Sequence, residues 1–173
     1  MRWAAFESDA GELGAEIRRL LQTPGVVLVA TTRGDGTPRL SPVEPFFWDE
    51  ELWLPMMFAS RKAADLERDP RLLVHSIITS KDGAEGEAKV RGTAVREPSG
   101  DRTVAVCRAI GEAMPWEPEP DRVELFRVDV ESASTIRYLD GDQHVALWPQ
   151  GHRFVRRITS ATSVGEPEDE TTF

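Results

Sequence analysis

Three prolines set the strongest constraint on the fold. Pro38, Pro42 and Pro45 fall within the stretch Thr37 to Phe47, which otherwise reads as a strand. Proline has no N–H to give to a sheet ladder, so such a strand must be bulged or edge-like, with several backbone groups free. Ahead of it, Val26 to Thr32 is a β-branched run with little polar alternation, which predicts a buried strand. Gly34-Asp35-Gly36 joins the two, because glycine accepts the positive φ of a tight hairpin turn. A hairpin whose second strand keeps its backbone free is suited to line a ligand.

The rest of the chain continues in short strands. Leu52 to Met57, Leu72 to Thr79 and Ala88 to Arg96 follow, and Val123 to Val130 alternates apolar with polar residues as a half-buried strand does. Ser134 to Tyr138, Val145 to Trp148 and Arg153 to Ile158 complete the set. Helices are few. Leu13, Ile17, Leu20 and Leu21 share one face of a helix over Asp9 to Gln22, which Pro24-Gly25 ends. A second starts at Ser60 and stops at Asp69-Pro70, and a third spans Gly100 to Ala113 with Ser99 as cap. Strands this short and this closely spaced predict an antiparallel β-barrel rather than a doubly wound parallel sheet.

The length of 173 residues suits one domain, expected over 1–160, followed by an acidic tail over 161–173 that holds Glu166, Glu168, Asp169 and Glu170 and reads as disordered. A net charge of −9 argues against a nucleic-acid or anionic-membrane partner, since neutralising phosphates needs a basic face. No signal peptide or bilayer-spanning run is evident, and one cysteine, Cys107, suits a reducing compartment, so the expected location is cytoplasmic. The neighbours of Cys107 predict a buried thiol on a helix rather than a nucleophile. His75, His144 and His152 lack the spacing of a zinc site, so no metal is expected.

The sharpest local feature is Ser60-Arg61-Lys62 at a helix start. A helix N-terminus presents unpaired N–H groups and about half a positive charge. Cations placed there oppose the dipole unless an anion compensates. With the Ser60 hydroxyl they make a site for a phosphate monoester. The plainer alternative is an exposed basic turn neutralised by Asp65 or Glu67.

The order Ala30-Thr31-Thr32-Arg33-Gly34-Asp35-Gly36-Thr37-Pro38-Arg39-Leu40-Ser41-Pro42-Val43, then Ser60-Arg61-Lys62, then Asp69-Pro70-Arg71-Leu72-Leu73-Val74, resembles the pyridoxamine 5′-phosphate oxidase-like family of FMN-binding split barrels. The resemblance runs from about Pro24 to Glu97. It implies a mainly β, antiparallel Greek-key split barrel and a homodimer with cofactor at the subunit interface. It also implies that Arg39, Leu40, Ser41, Pro42 and Val43 lie along the flavin and its ribityl chain. Pro55 and Met56 would line the cofactor, and Ser60, Arg61 and Lys62, with Arg39, would hold its phosphate. Glu87 stands where the oxidases place a glutamine near the ring, a poor neighbour for an anionic reduced flavin, and Lys89 is a further basic candidate.

Relatives of this kind include FMN-dependent oxidases, reductases using the deazaflavin coenzyme and haem-associated proteins. The C-terminal arginine-leucine-x-proline segment of the true oxidases is absent; the nearest basic stretch runs from His152 to Arg157. The sequence therefore points to an FMN- or deazaflavin-dependent oxidoreductase acting on a small planar substrate with a reducing nucleotide. A non-catalytic flavin- or haem-binding protein is the alternative. The flavin carries the chemistry, so no side chain is singled out as catalytic. Among the five tryptophans, Trp53 sits on the strand leading to the candidate helix, placed to stack near a planar ring, with core or dimer-interface packing as its first reading.

Overall fold

The computed structural model describes residues 1–170 as ten strands and four helices. Helix α1 covers Trp3–Ala10 and α2 covers Glu12–Gln22. The helix expected from Asp9 starts instead as α2 after Gly11, whose φ of 57° leaves the helical region, and α1 is a further helix ahead of it. Trp3 and Phe6 give α1 too short an apolar face to be read as a helix before its packing is known.

Strands β1 (Val27–Thr32) and β2 (Pro38–Val43) form the proline-bearing hairpin, paired in the register Val29↔Ser41 and Thr31↔Arg39. Pro45 ends β2, and the chain resumes as β3 (Phe46–Trp48) and β4 (Glu51–Met57). Helix α3 (Arg61–Arg68) leads to β5 (Arg71–Ser76) and β6 (Glu87–Arg96). Helix α4 (Asp101–Ala113) then precedes β7 (Val123–Leu139). Gly100, not Ser99, is the cap residue of α4, and no side-chain cap bond forms there.

The barrel runs β2-β1-β5-β6-β7-β4, every pair antiparallel. Strand β1 leaves the hairpin to pair with β5, skipping β3 and β4, as a Greek key requires. No ladder joins β2 to β4, so the barrel is split along that seam. β2 is an edge strand, which its prolines demand. Pro55 likewise lies beyond Glu51–Trp53, the part of β4 that β3 covers.

Two expectations for the strands change. β1 is buried on alternate residues only: Val27, Val29 and Thr31 face the core, while Leu28, Ala30 and Thr32 are half-exposed. Its apolar outer face masks that alternation in the sequence. The segments Val123 to Val130 and Ser134 to Tyr138 are one strand, β7, which pairs with β4 at its start and with β8 (Asp142–Trp148) at its end. The shift in its register with β6 between Arg91 and Gly92 lets it bend between those partners.

β8, β9 (His152–Ser160) and β10 (Ser163–Asp169) carry the sheet away from the barrel. Most of the segment expected as a disordered tail is thus paired backbone: β10 lies against β9, and Arg157 reaches Glu168 at 3.5 Å. The charge that suggested solvation is partly neutralised by the basic strand beside it. Residues 171–173 of that expected tail lie outside the described residues.

Two cores result. Val29, Leu54, Met56, Val74, Val90 and Val128 fill the barrel, which α1 and α2 close with Phe6, Ile17 and Leu21. Cys107 and Ile110 of α4 form a second cluster with Phe46, Trp53 and Leu125. Each such side chain contributes about 1.5–3 kcal/mol by leaving water. Trp53 is fully buried there, its indole N–H donating to the Trp48 carbonyl at 3.0 Å, so it is a packing residue. Cys107 is buried as expected.

Candidate functional site

The turn into α3 is fixed by its neighbours. Ala59 adopts a φ of 55° and its N–H donates to Glu124 Oε1 at 3.3 Å. The Phe58 N–H donates to the Arg122 carbonyl at 3.2 Å. Ser60 caps α3, its Oγ accepting from the Ala63 N–H at 3.4 Å. These bonds aim the free N–H groups of α3, and with them Arg61 and Lys62, out of the barrel.

The carboxylates of α3 are committed elsewhere. Asp65, 4% exposed, accepts from Arg39 Nε at 2.6 Å, from the Thr31 hydroxyl at 3.0 Å and from Arg68 at 3.2 Å. Burial pushes this carboxyl up, but the bonds from Arg39, Thr31 and Arg68 together outweigh it and hold the pKa below the ordinary value. Glu67 pairs with Arg96 at 3.2 Å. Among the described residues, then, neither Arg61 nor Lys62 has a carboxylate partner. The alternative of a self-neutralised basic turn does not hold.

A cleft of about 590 Å³ opens along the split between β2 and β4. Pro42, Val43, Pro55 and Met56 form its walls, and Lys62 reaches it from α3. Five of the residues singled out in the sequence are thus brought together, with Ser60 and Arg61 next to Lys62 in the chain. Arg39 is not among the lining residues. Its Nε donates to Asp65 at 2.6 Å, which places Arg39 in the frame beneath α3 rather than on the cleft wall, apart from the phosphate position expected of it. Leu40 is 61% exposed on the outer face of β2, and Ser41 is half-buried opposite Val29.

Glu87 and Lys89 lie apart from this cleft. They pair with each other, and His75 Nε2 stands 3.7 Å from Glu87. Glu87 borders a smaller cavity with Ile78 and Tyr138, and Lys89 another of about 290 Å³ with Ser134 and Leu147. The far wall of the main cleft comes from a segment not singled out as functional in the sequence: Trp116, Pro118, Glu119 and Arg122, between α4 and β7. Its signal was an aromatic and an arginine in a proline-rich connection, a pattern shared by many inert loops. Among the described residues, no group of three His, Cys, Asp or Glu side chains could hold a metal ion.

The family model for pyridoxamine 5′-phosphate oxidase matches residues 13–137. The chain belongs to that family. Solved structures show the same fold. A Listeria innocua protein assigned as a pyridoxamine 5′-phosphate oxidase superposes with a TM-score of 0.59 at 16% identity, over 70% of this chain and 96% of its own. The haem storage protein HutZ of Vibrio cholerae gives 0.56 at 22% identity, over 69% and 90%. An F420 reductase gives 0.54 at 20% identity, over 67% and 94%. Identities this low establish the split barrel and no more. No curated protein sequence matches the chain. Among the described residues, no helix is long and apolar enough to cross a membrane.

Proposed function

We propose that the cleft between β2 and β4 holds a phosphorylated flavin, FMN or the deazaflavin coenzyme, and that the protein is an oxidoreductase using it on a small planar substrate. The observation that carries this reading is the pair Arg61 and Lys62. Two cations stand against the dipole of α3, beside the cleft, while Asp65 and Glu67 are bonded elsewhere. A phosphate dianion resolves that conflict. The cleft volume suits a cofactor of this size, and its proline, valine and methionine walls suit a planar apolar ring.

The bound flavin would supply hydride or electron-pair chemistry. Lys62 and Arg61 would neutralise its phosphate, and Pro42, Val43, Pro55 and Met56 would keep water from the ring. Glu87 and Lys89 lie on the outer face of β6, so they reach such a cofactor only if a second copy carries them there. The exposed Leu40 on edge strand β2 supports a homodimer of that kind. A reducing nucleotide as second substrate and a cytoplasmic location complete the proposal. Haem-binding proteins share the fold, but among the described residues of a single chain no histidine or cysteine lines the cleft to serve as an axial ligand.

Titration of the purified protein with FMN, riboflavin, the deazaflavin coenzyme and haem tests the proposal by tryptophan quenching and visible absorbance. FMN or the deazaflavin coenzyme should saturate, with riboflavin at least about tenfold weaker because it lacks the phosphate. Equal binding of FMN and riboflavin would remove the phosphate site. Saturation by haem alone would replace the flavin reading with tetrapyrrole binding.

A further inference from the structure

The far wall of the cleft carries its own cation. Arg122 lies at the mouth, and its guanidinium sits 5.6 Å from the centre of the Phe58 ring. Among the described residues it has no carboxylate partner. Glu44 and Glu119 also line the cleft, and among the described residues neither forms an ion pair with Arg122 or Lys62. Trp116 stands on the same wall, half-buried against the α4 cluster. This wall is built into the fold. Glu117 packs so closely on Gly111 of α4 that a Cβ there would come within 2.7 Å of the Glu117 Cβ. The Arg122 N–H donates to the Glu119 carbonyl at 2.9 Å, and its own carbonyl holds Phe58 at 3.2 Å.

We infer that Trp116 and Arg122 form a substrate subsite for a planar molecule carrying a carboxylate or another single anionic group. Trp116 offers an apolar surface to the ring, and Arg122 offers forked donors to the anion. Lys62, at the α3 end, is left for the cofactor phosphate, so one cleft holds two anion positions served by different elements. The inference rests on the proposed function for its account of why a second ligand enters at all; the anion preference itself is a property of Arg122.

The test is calorimetric titration of the FMN-loaded protein with naphthalene-2-carboxylate and with the neutral naphthalene-2-methanol. The acid should bind at least about tenfold tighter than the alcohol, in keeping with one charge-assisted contact. Arg122→Ala and Arg122→Gln, each saturated with FMN, should erase that preference, and Trp116→Leu should weaken both ligands. Should neither FMN nor the deazaflavin coenzyme bind, the same titrations on the protein alone decide the matter. Acid preference lost on replacing Arg122 then upholds the subsite while the cofactor reading falls. Equal binding of acid and alcohol, or a preference that survives both Arg122 variants, overturns the subsite and leaves the cofactor reading standing.

Discussion

Arg39 Nε donates to Asp65 Oδ2 across 2.6 Å, joining β2 to α3 over 26 residues of sequence. The contact makes Arg39 part of the frame that seats α3 on the β1–β2 hairpin. Thr31 on β1 and Arg68 at the end of α3 complete the cluster on the same carboxylate. Removing one partner of a buried ion pair strands the others, so Asp65→Ala should cost about 3 kcal/mol. Urea denaturation of the variant measures it. Arg39→Ala should cost less, since Asp65 keeps Thr31 and Arg68, and FMN affinity should hardly move. A large loss of FMN affinity in Arg39→Ala would return that residue to the phosphate.

The double variant Arg61→Ala/Lys62→Ala should show the opposite pattern. Two charge-assisted contacts at about 1.5–3 kcal/mol each predict a loss of FMN affinity of about a hundredfold or more. Riboflavin affinity and the urea midpoint should stay near those of the parent. An unchanged FMN dissociation constant would dispose of the assigned phosphate position.

Stability should fall in acid, and Asp65 should carry part of the fall. Its folded pKa lies below the unfolded value of about 3.9, so its contribution is complete above that value. It is lost as the pH drops through the folded pKa. Asp69, held at about 2 by Arg71, titrates in the same direction. Urea midpoints collected from neutral pH downward should be flat until about pH 4 and then decline. The decline should be shallower in Asp65→Asn; an identical slope would show that Asp65 is not linked to acid unfolding.

Ser60→Ala removes the only side-chain cap of α3 and should cost about 0.5–1 kcal/mol. The lower part of that range is expected, because the Oγ to Ala63 distance of 3.4 Å is long. FMN affinity should fall with it if the hydroxyl also faces the phosphate. Thermal melts with and without FMN separate the two effects.

Cys107 should resist thiol reagents in the native state. Burial on the inner face of α4, with the Glu117 charge nearby, pushes the thiol pKa up and keeps the thiolate scarce. Labelling should become complete only on unfolding in urea; rapid labelling of the native protein would mean that the α4 cluster opens.

The features that the sequence determined by itself are local ones. A proline denies a sheet its N–H wherever it stands, so the edge character of Pro38-to-Val43 was legible residue by residue. So were the Gly34-Asp35-Gly36 turn, the Ser60 cap and the cations of α3, because each acts within a few positions of chain. What decided the site was distance. That Asp65 takes Arg39 and leaves Arg61 and Lys62 uncommitted depends on how α3 settles on β1 and β2. That Trp116 and Arg122 face Pro42 and Pro55 depends on β7 pairing with β4, strands well separated in sequence. The outer face of β1 and the pairing of acidic β10 with basic β9 follow the same rule. A side chain's chemistry is fixed by its type, but its partner is chosen by packing, and only the folded barrel brings those partners within reach.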